Sequence, residues 1–477
     1  MLSSKIFESP TLMTLFSLVS KSFSFIIITP FLLSSFSAEE IAFWYLLGIF
    51  INMQSLADFG FYNTFVRVIA LAFSGGISKL SDLDHVEDKS RTVANSNIHL
   101  AGQIVGTMRW VYRLLSFVLL IVLVSLSPLL VKNIYQLDNV LEGWLSWGIV
   151  IVFSVSNFLG RPYLNFLLSM NKVALVRRWE GIFNVIALSI NIIVVLFTKS
   201  ILLLVVTNQM WLFVNVLVNR YLCNHNGLYN YNDFMCFGYN KEVMRNVWPL
   251  AWRAGLSSIT TQGIVSASGL IYAQFCDAAS ASSYLFAEKL YNAIRSFAQA
   301  PFYSKVPLLV SLRGKNKILE WETVSQRGMF FASSFMVIGI FGFDILGKDL
   351  FSLIRSNIEF PNHLLWLLLG WSYLLHRYGA MHTQLYTTIN KVNSHISDLI
   401  AGLIMVLVWV AFVKYLDVYV FPVGMLCGYL GFYVWFAGYY SYKIIDKSPL
   451  VFERKANLFP FTVLLVYSII RFFLSCL

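Results

Sequence analysis

Glu288, Asn292, Arg295 and Gln299 recur at intervals of four, three and four residues inside an apolar run from 281 to 309. That spacing places all four on one face of a helix. Thr14, Ser17, Lys21 and Ser24 follow a similar rule, three, four and three apart, in the run 11–33. Tyr373, Arg377, Gln384 and Thr388 mark one side of the run 362–388, with His376 and His382 close by. Further ions interrupt apolar stretches: Asp58 and Arg67 in 41–73, Lys289 beside Glu288, and Arg253 near Ser257 and Thr261 in 247–273. A cation at a bilayer centre costs at least about 2.5–3.5 kcal/mol, so it faces protein or a wet cavity. A cavity walled by cations attracts anions, and arginine's planar fork suits a phosphate held by two bonds. Plainer structural readings compete with each of these. Glu288 could pair internally with Arg295 or Lys289, Lys21 could bridge to Asp58, and Arg253 could snorkel to lipid phosphates.

Composition says which elements must carry these residues. Of the 477 residues, 58% are hydrophobic and only 12% charged, with a mean hydropathy of +0.68. Soluble domains carry about 25% charge, so the chain reads as an all-α polytopic membrane protein. The expected spans are 11–33, 41–73, 105–131, 144–169, 179–198, 200–221, 247–273, 281–309, 325–347, 362–388, 394–414 and 418–442, with a thirteenth at 458–477. Several exceed the roughly 20 residues that cross a bilayer, and Pro30, Pro128, Pro162, Pro249, Pro301 and Pro307 offer places to bend. The first run is too long for a cleaved signal and should stay as a membrane helix. Five scattered cysteines show no metal or disulfide spacing. P-loop, zinc and GxSxG motifs are absent, so neither cofactor nor metal nor enzymatic chemistry is expected.

The loops assign sides. Seventeen Lys and Arg fall in one alternating set of connections, including Lys172, Arg177, Arg178 and Arg313, against five in the other (Lys132, Lys199, Lys348, Arg355 and Lys414). The richer set and the N-terminus are therefore expected in the cytoplasm. That alternation also argues against nucleic acid as the partner of a chain with net charge +11. The openings Ala42-Phe-Trp-Tyr-Leu46 and Ala281-Ser-Ser-Tyr-Leu285 are similar and lie 239 residues apart. Six spans separate them, which predicts parallel repeats related by a pseudo-twofold along the membrane normal. The expected organisation is a six-helix lobe over 1–223, a cytoplasmic linker over 224–246, a second six-helix lobe over 247–442, and a loop with an additional apolar helix over 443–477.

The stretch Ser55-Leu-Ala-Asp-Phe-Gly-Phe-Tyr-Asn-Thr-Phe-Val-Arg67 resembles the aspartate–x–glycine … arginine signature late in the second helix of Wzx-type polysaccharide flippases. These are the O-antigen and capsule branch of the multidrug/oligosaccharidyl-lipid/polysaccharide (MOP) exporter superfamily, and length and lobe pattern fit as well. The resemblance implies export of an undecaprenyl-pyrophosphate-linked repeat unit across the bacterial cytoplasmic (inner) membrane, with polymerase and chain-length proteins of the same pathway as partners beside membrane lipids. A pyrophosphate needs cations, for which Lys21, Arg67, Arg253, Lys289, Arg295 and Arg377 are the candidates. Ser17, Ser24, Asn292, Gln299 and Gln384 are the candidate polar lining, and Asp58 and Glu288 the candidate ion-coupling acids. Two rivals stay open. A multidrug/cation antiporter of the same superfamily would want carboxylates where this chain has cations. A membrane polysaccharide polymerase would want a large outer loop, and the outer loops here are short.

Cysteine labelling from either side of the membrane checks the topology. Positions Asp84 and Arg313 should report the cytoplasm, and Asp138 and Asp277 the outside. A cytoplasmic 132–142 loop would break both the span count and the repeat.

Overall fold

The structure, a computed structural model, describes residues 10–73, 97–225, 229–314, 317–387, 394–445 and 448–476. The mixed-charge stretch 79–91, with Asp84, and Thr388 lie outside the described residues. Among the described residues α-helix dominates and no strand occurs. The chain forms two compact units, Met1–Ser35 with Phe43–Gly263, and Phe36–Ala42 with Ile264–Leu477.

The helices of the first unit are α1 (Pro10–Ser35), α2 (Ala38–Ala57, from Phe43 on), α3 (Phe61–Phe73), α4 (Ile98–Ser125), α5 (Pro128–Tyr135), α6 (Val140–Leu159), α7 (Arg161–Ser169), α8 (Val173–Thr198), α9 (Ile201–His225) and α10 (Lys241–Ser258). Asparagines start several of them. The side chains of Asn97 and Asn139 accept the backbone N–H groups of Leu100 (3.0 Å) and Glu142 (3.2 Å), and Asn240 does the same for Glu242. Each supplies an acceptor for one of the orphan donors that begin a helix. Pro128 and Pro162 stand in the first turns of α5 and α7, where a missing N–H costs nothing, while Pro30 and Pro249 lie inside α1 and α10.

The expected span 41–73 is broken at Asp58-Phe59-Gly60, where Phe59 (φ 48°) and Gly60 (φ 77°) take the left-handed conformation. Asp58 restarts the chain. Its carboxylate accepts the Tyr62 N–H at 2.7 Å and the Tyr112 hydroxyl, and Tyr112 in turn accepts from Asn165 at 2.9 Å. Gly60 makes room for α10: a Cβ there would lie 2.4 Å from the Ala251 carbonyl oxygen, and a Cβ on Gly255 would lie 2.7 Å from the Phe59 carbonyl. The aspartate–x–glycine signature thus has a structural meaning, a cap followed by a close backbone approach.

The second unit holds α11 (Ile264–Phe275), α12 (Ala278–Tyr303), α13 (Val306–Gly314), α14 (Ile318–Leu353), α15 (His363–Thr387), α16 (Ser394–Leu416), α17 (Val420–Gly428), α18 (Val434–Ile445), α19 (Pro449–Ala456) and α20 (Leu458–Cys476). Asp277 caps α12 through the Ser280 N–H at 3.0 Å, and the Ser280 side chain and backbone hold its carboxyl below the usual range. Phe36 belongs with this unit because its carbonyl accepts the Asn357 amide at 2.7 Å. π-helical turns at Ile259–Gly263 and Tyr429–Tyr433 precede α11 and α18.

Arg471, the cation inside the expected thirteenth span, has a defined partner. It donates to Asp344 at 3.2 Å, and the same carboxylate takes the Tyr467 hydroxyl at 2.5 Å and faces His363 Nδ1 at 2.8 Å. Asp344 is buried on α14, so this cluster pins α20 to it. Eight helical segments among the described residues are long and apolar enough to cross a membrane, or nine if α19 and α20, bent by 71°, make one span. The described residues of the expected spans 247–273, 281–309 and 362–388 are largely helical as well, but they carry the polar residues that lower their hydropathy. The chain is a multi-pass membrane protein.

Gly60→Ala should destabilise the first unit by about 1–3 kcal/mol, the usual cost of overpacking. A lowered midpoint for loss of monodisperse protein on heating in detergent would show it. An unchanged midpoint would mean that α10 does not press on the break.

Candidate functional site

In the first unit α1 and α8 pack against each other, and the polar stripe on α1 faces α8. Ser17 donates to Glu180 at 3.2 Å, Arg177 pairs with the same carboxylate at 2.7 Å, and Ser24 donates to the Asn184 carbonyl at 3.3 Å. Lys21 stands one turn along. It forms no ion pair among the described residues, and Asp58 is held by tyrosine and backbone, so the Lys21–Asp58 bridge is not made. Instead Lys21 lines a cavity of about 350 Å³ together with Ser24, Asn52, Asn184, Asn191, Asn208 and Asn215. Trp44, Tyr45 and Trp211 supply aromatic wall. A smaller cavity of about 160 Å³, bounded by Gln54, Asn157, Arg161, Glu180 and Asn219, shares Leu212 and Asn215 with the first.

The amide wall was not among the expected site residues. Its signal was present in the sequence: Asn184 and Asn191, and Asn208 and Asn215, each lie seven residues apart, two helical turns, within apolar runs. Amides attract less notice than charges, and only the packing of α8 beside α9 aims both pairs at one space.

The second unit gathers the cationic residues of α12 and α15. Asn292 donates to the Tyr373 hydroxyl at 3.2 Å, and the Arg295 guanidinium lies 5.7 Å from the centre of the Tyr373 ring. Tyr291 stacks on Tyr373 at 5.2 Å and donates to the Trp366 carbonyl at 2.6 Å, which fixes the aromatic floor. Arg377, one turn beyond Tyr373, is buried, 3% exposed, and within electrostatic range of Arg295. Its Nε and Nη2 have no hydrogen-bond partner among the described residues. Glu288 is also buried, with Oε2 unpartnered, and it forms no ion pair with Arg295. Lys289 is half-buried beside it, as are Gln299 and Gln384 farther along their helices. His376 stacks on Tyr433, with centroids 5.7 Å apart, and His382 bonds Ser441 at 3.0 Å.

The candidate residues therefore fall into separate groups. Ser17, Lys21 and Ser24 share the α1 face. Glu288, Asn292, Arg295 and Arg377 share the interior of the second unit. Arg253 packs with the first unit's α10, exposed, 6.0 Å from the Trp252 ring, and Arg67 is exposed on α3. Arg377, with buried donors unspent, and the half-buried Arg295 present two like charges beside a carboxylate that does not close on them, an arrangement chemically able to receive an anion.

No family model matches the sequence, and no curated protein matches it. Solved structures do. A lipid II flippase, MurJ, in an inward closed conformation is similar at TM-score 0.62 and 12% identity, over 96% of this chain and 92% of that one. The Vibrio cholerae MATE transporter VcmN, solved as a point mutant, is similar at TM-score 0.59 and 12% identity, over 94% and 98%. A MOP superfamily transporter from Pyrococcus furiosus, described by the reverse polarity of its binding pocket, is similar at 0.57 and 13%, over 93% and 98%. The chain shares the fold of these transporters, in keeping with the expected all-α, two-lobe membrane architecture.

Removing the Arg377 charge separates a binding residue from a core one. Arg377→Met should leave thermal stability within about 1 kcal/mol of the parent or raise it, because it relieves a buried, under-bonded cation. A loss of about 3–5 kcal/mol would mean that the guanidinium belongs to a structural pair.

Proposed function

We propose that this protein is a flippase that carries a polyprenyl-pyrophosphate-linked oligosaccharide, an O-antigen or capsule repeat unit, across the bacterial cytoplasmic membrane by alternating access, with its N-terminus inside. The observation that carries the reading is the buried Arg377 guanidinium, with two donor nitrogens unspent, close to Arg295 over the Tyr373 ring. A pyrophosphate would satisfy those donors in bidentate fashion and offset the repulsion between the two cations. The MOP-exporter fold supports a translocation cycle, and the lipid II flippase among the neighbours supports a lipid-borne cargo.

In this reading Glu288 is the coupling acid, since its Oε2 is buried and unpaired. Asp58 caps α3 and keeps the break in place. A cation antiporter fits less well, because the site would hold two arginines against one carboxylate.

Arg295→Gln should abolish surface export of the glycan by at least about tenfold while the protein still inserts and accumulates, and Arg295→Lys should restore part of it, keeping charge but losing the fork. Lys317→Gln is the control, since Lys317 pairs with Glu320 at 2.8 Å on an exposed helix start. Normal surface polysaccharide from Arg295→Gln at normal protein levels would remove Arg295 from the site.

A further inference from the structure

We infer that the amide-walled cavity of the first unit is a saccharide subsite, one that grips uncharged sugar rings through hydroxyl and acetamido groups, apart from the cations that take the pyrophosphate. This rests on the flippase reading above and names what the first unit contributes to it. The cavity, about 350 Å³, falls at the lower end of the size range of small-ligand sites, roughly 300–1,000 Å³.

The wall chemistry selects the ligand. Asn52 and Asn208 make no side-chain hydrogen bond among the described residues. Asn191 spends only its oxygen, on Thr207 at 2.8 Å, and Asn215 only its oxygen, on Asn219 at 2.9 Å. Lining groups behind them are unsatisfied too: Tyr45 Oη and Trp211 Nε1 are buried without partners. In the neighbouring cavity both amide atoms of Asn157 are in the same state. A lipid tail could not satisfy such groups. An organic cation would need a carboxylate, and Lys21 is the one charged side chain among the residues that line the cavity. A phosphate would need more cations than one. A ligand with many paired donors and acceptors and an apolar ring face fits, the hydroxyls meeting the amides and the ring lying on Trp44 or Trp211.

The test uses the full chain in lipid nanodiscs. The probe is the oligosaccharide pool that mild acid releases from the polyprenyl-pyrophosphate fraction of the producing cells, free of lipid and phosphate. Saturation-transfer NMR reads contact with the sugar protons. The parent protein should give transfer that inorganic pyrophosphate does not displace. Asn191→Leu combined with Asn208→Leu should weaken binding roughly tenfold, the scale set by losing two neutral hydrogen bonds. Trp211→Phe, which keeps the bulk of the wall, should weaken it in a protein whose folding is not in question. Absence of transfer with the parent, equal binding by the variants, or displacement by pyrophosphate would each overturn the subsite. Export assays separate this from the flippase reading. Normal export by the asparagine pair with none from Arg295→Gln would sink the subsite alone. Sugar binding with normal export from Arg295→Gln would sink the pyrophosphate site alone.

Discussion

Hydrocarbon offers no partner to a charge or an amide, so every polar side chain in a membrane helix must turn to protein or to water. The interior of this protein is organised by that demand. Asp344 shows it met in full: three groups, from Arg471, Tyr467 and His363, converge on one buried carboxylate and tie the last helix to α14. Glu453 shows it again, receiving Tyr442 at 2.8 Å and Asn457 at 2.7 Å within a buried network that reaches His382 at 3.2 Å. In contrast to Asp344, Arg377 and Glu288 have buried polar atoms that remain open among the described residues.

The contrast between closed and open networks separates the anchoring clusters from the candidate site. Closed clusters set helix positions. The Asp58–Tyr112–Asn165 chain holds the broken second segment, and the Gly60 and Gly255 backbones meet only because neither carries a Cβ. Open clusters lie beside these anchored elements: the amide cavity between α1, α2, α8 and α9, and the arginines of α12 and α15 above a stacked aromatic floor. Sites set on rigid helices keep unsatisfied donors at fixed positions, which lowers the cost of ordering them when a ligand arrives.

The two units carry different chemistry despite their shared helical build. The first presents amides, indole rings and one lysine. The second presents two arginines, a carboxylate and tyrosines.

Much of this was legible in the residues themselves. Long apolar runs specify helices in lipid whatever their neighbours, because the backbone must bond to itself there, and polar stripes at a 3.6-residue period specify which face turns inward. Hence the helical segments followed from sequence, as did the shared face that brings Asn292 and Arg295 to Tyr373. Which polar residues pair did not. Arg295 and Glu288 share one helix face, yet the structure forms no ion pair between them. Arg471 finds Asp344, 127 positions away. Arg253 opens an expected second-lobe segment but packs with the first unit, because Gly255 docks on the break at Phe59. Asn184, Asn191, Asn208 and Asn215 become one wall only when α8 lies beside α9. A side chain's own chemistry is local and can be read from its letter and its period. Whether that chemistry is already spent depends on which distant helix packs opposite, and only folding in three dimensions decides that.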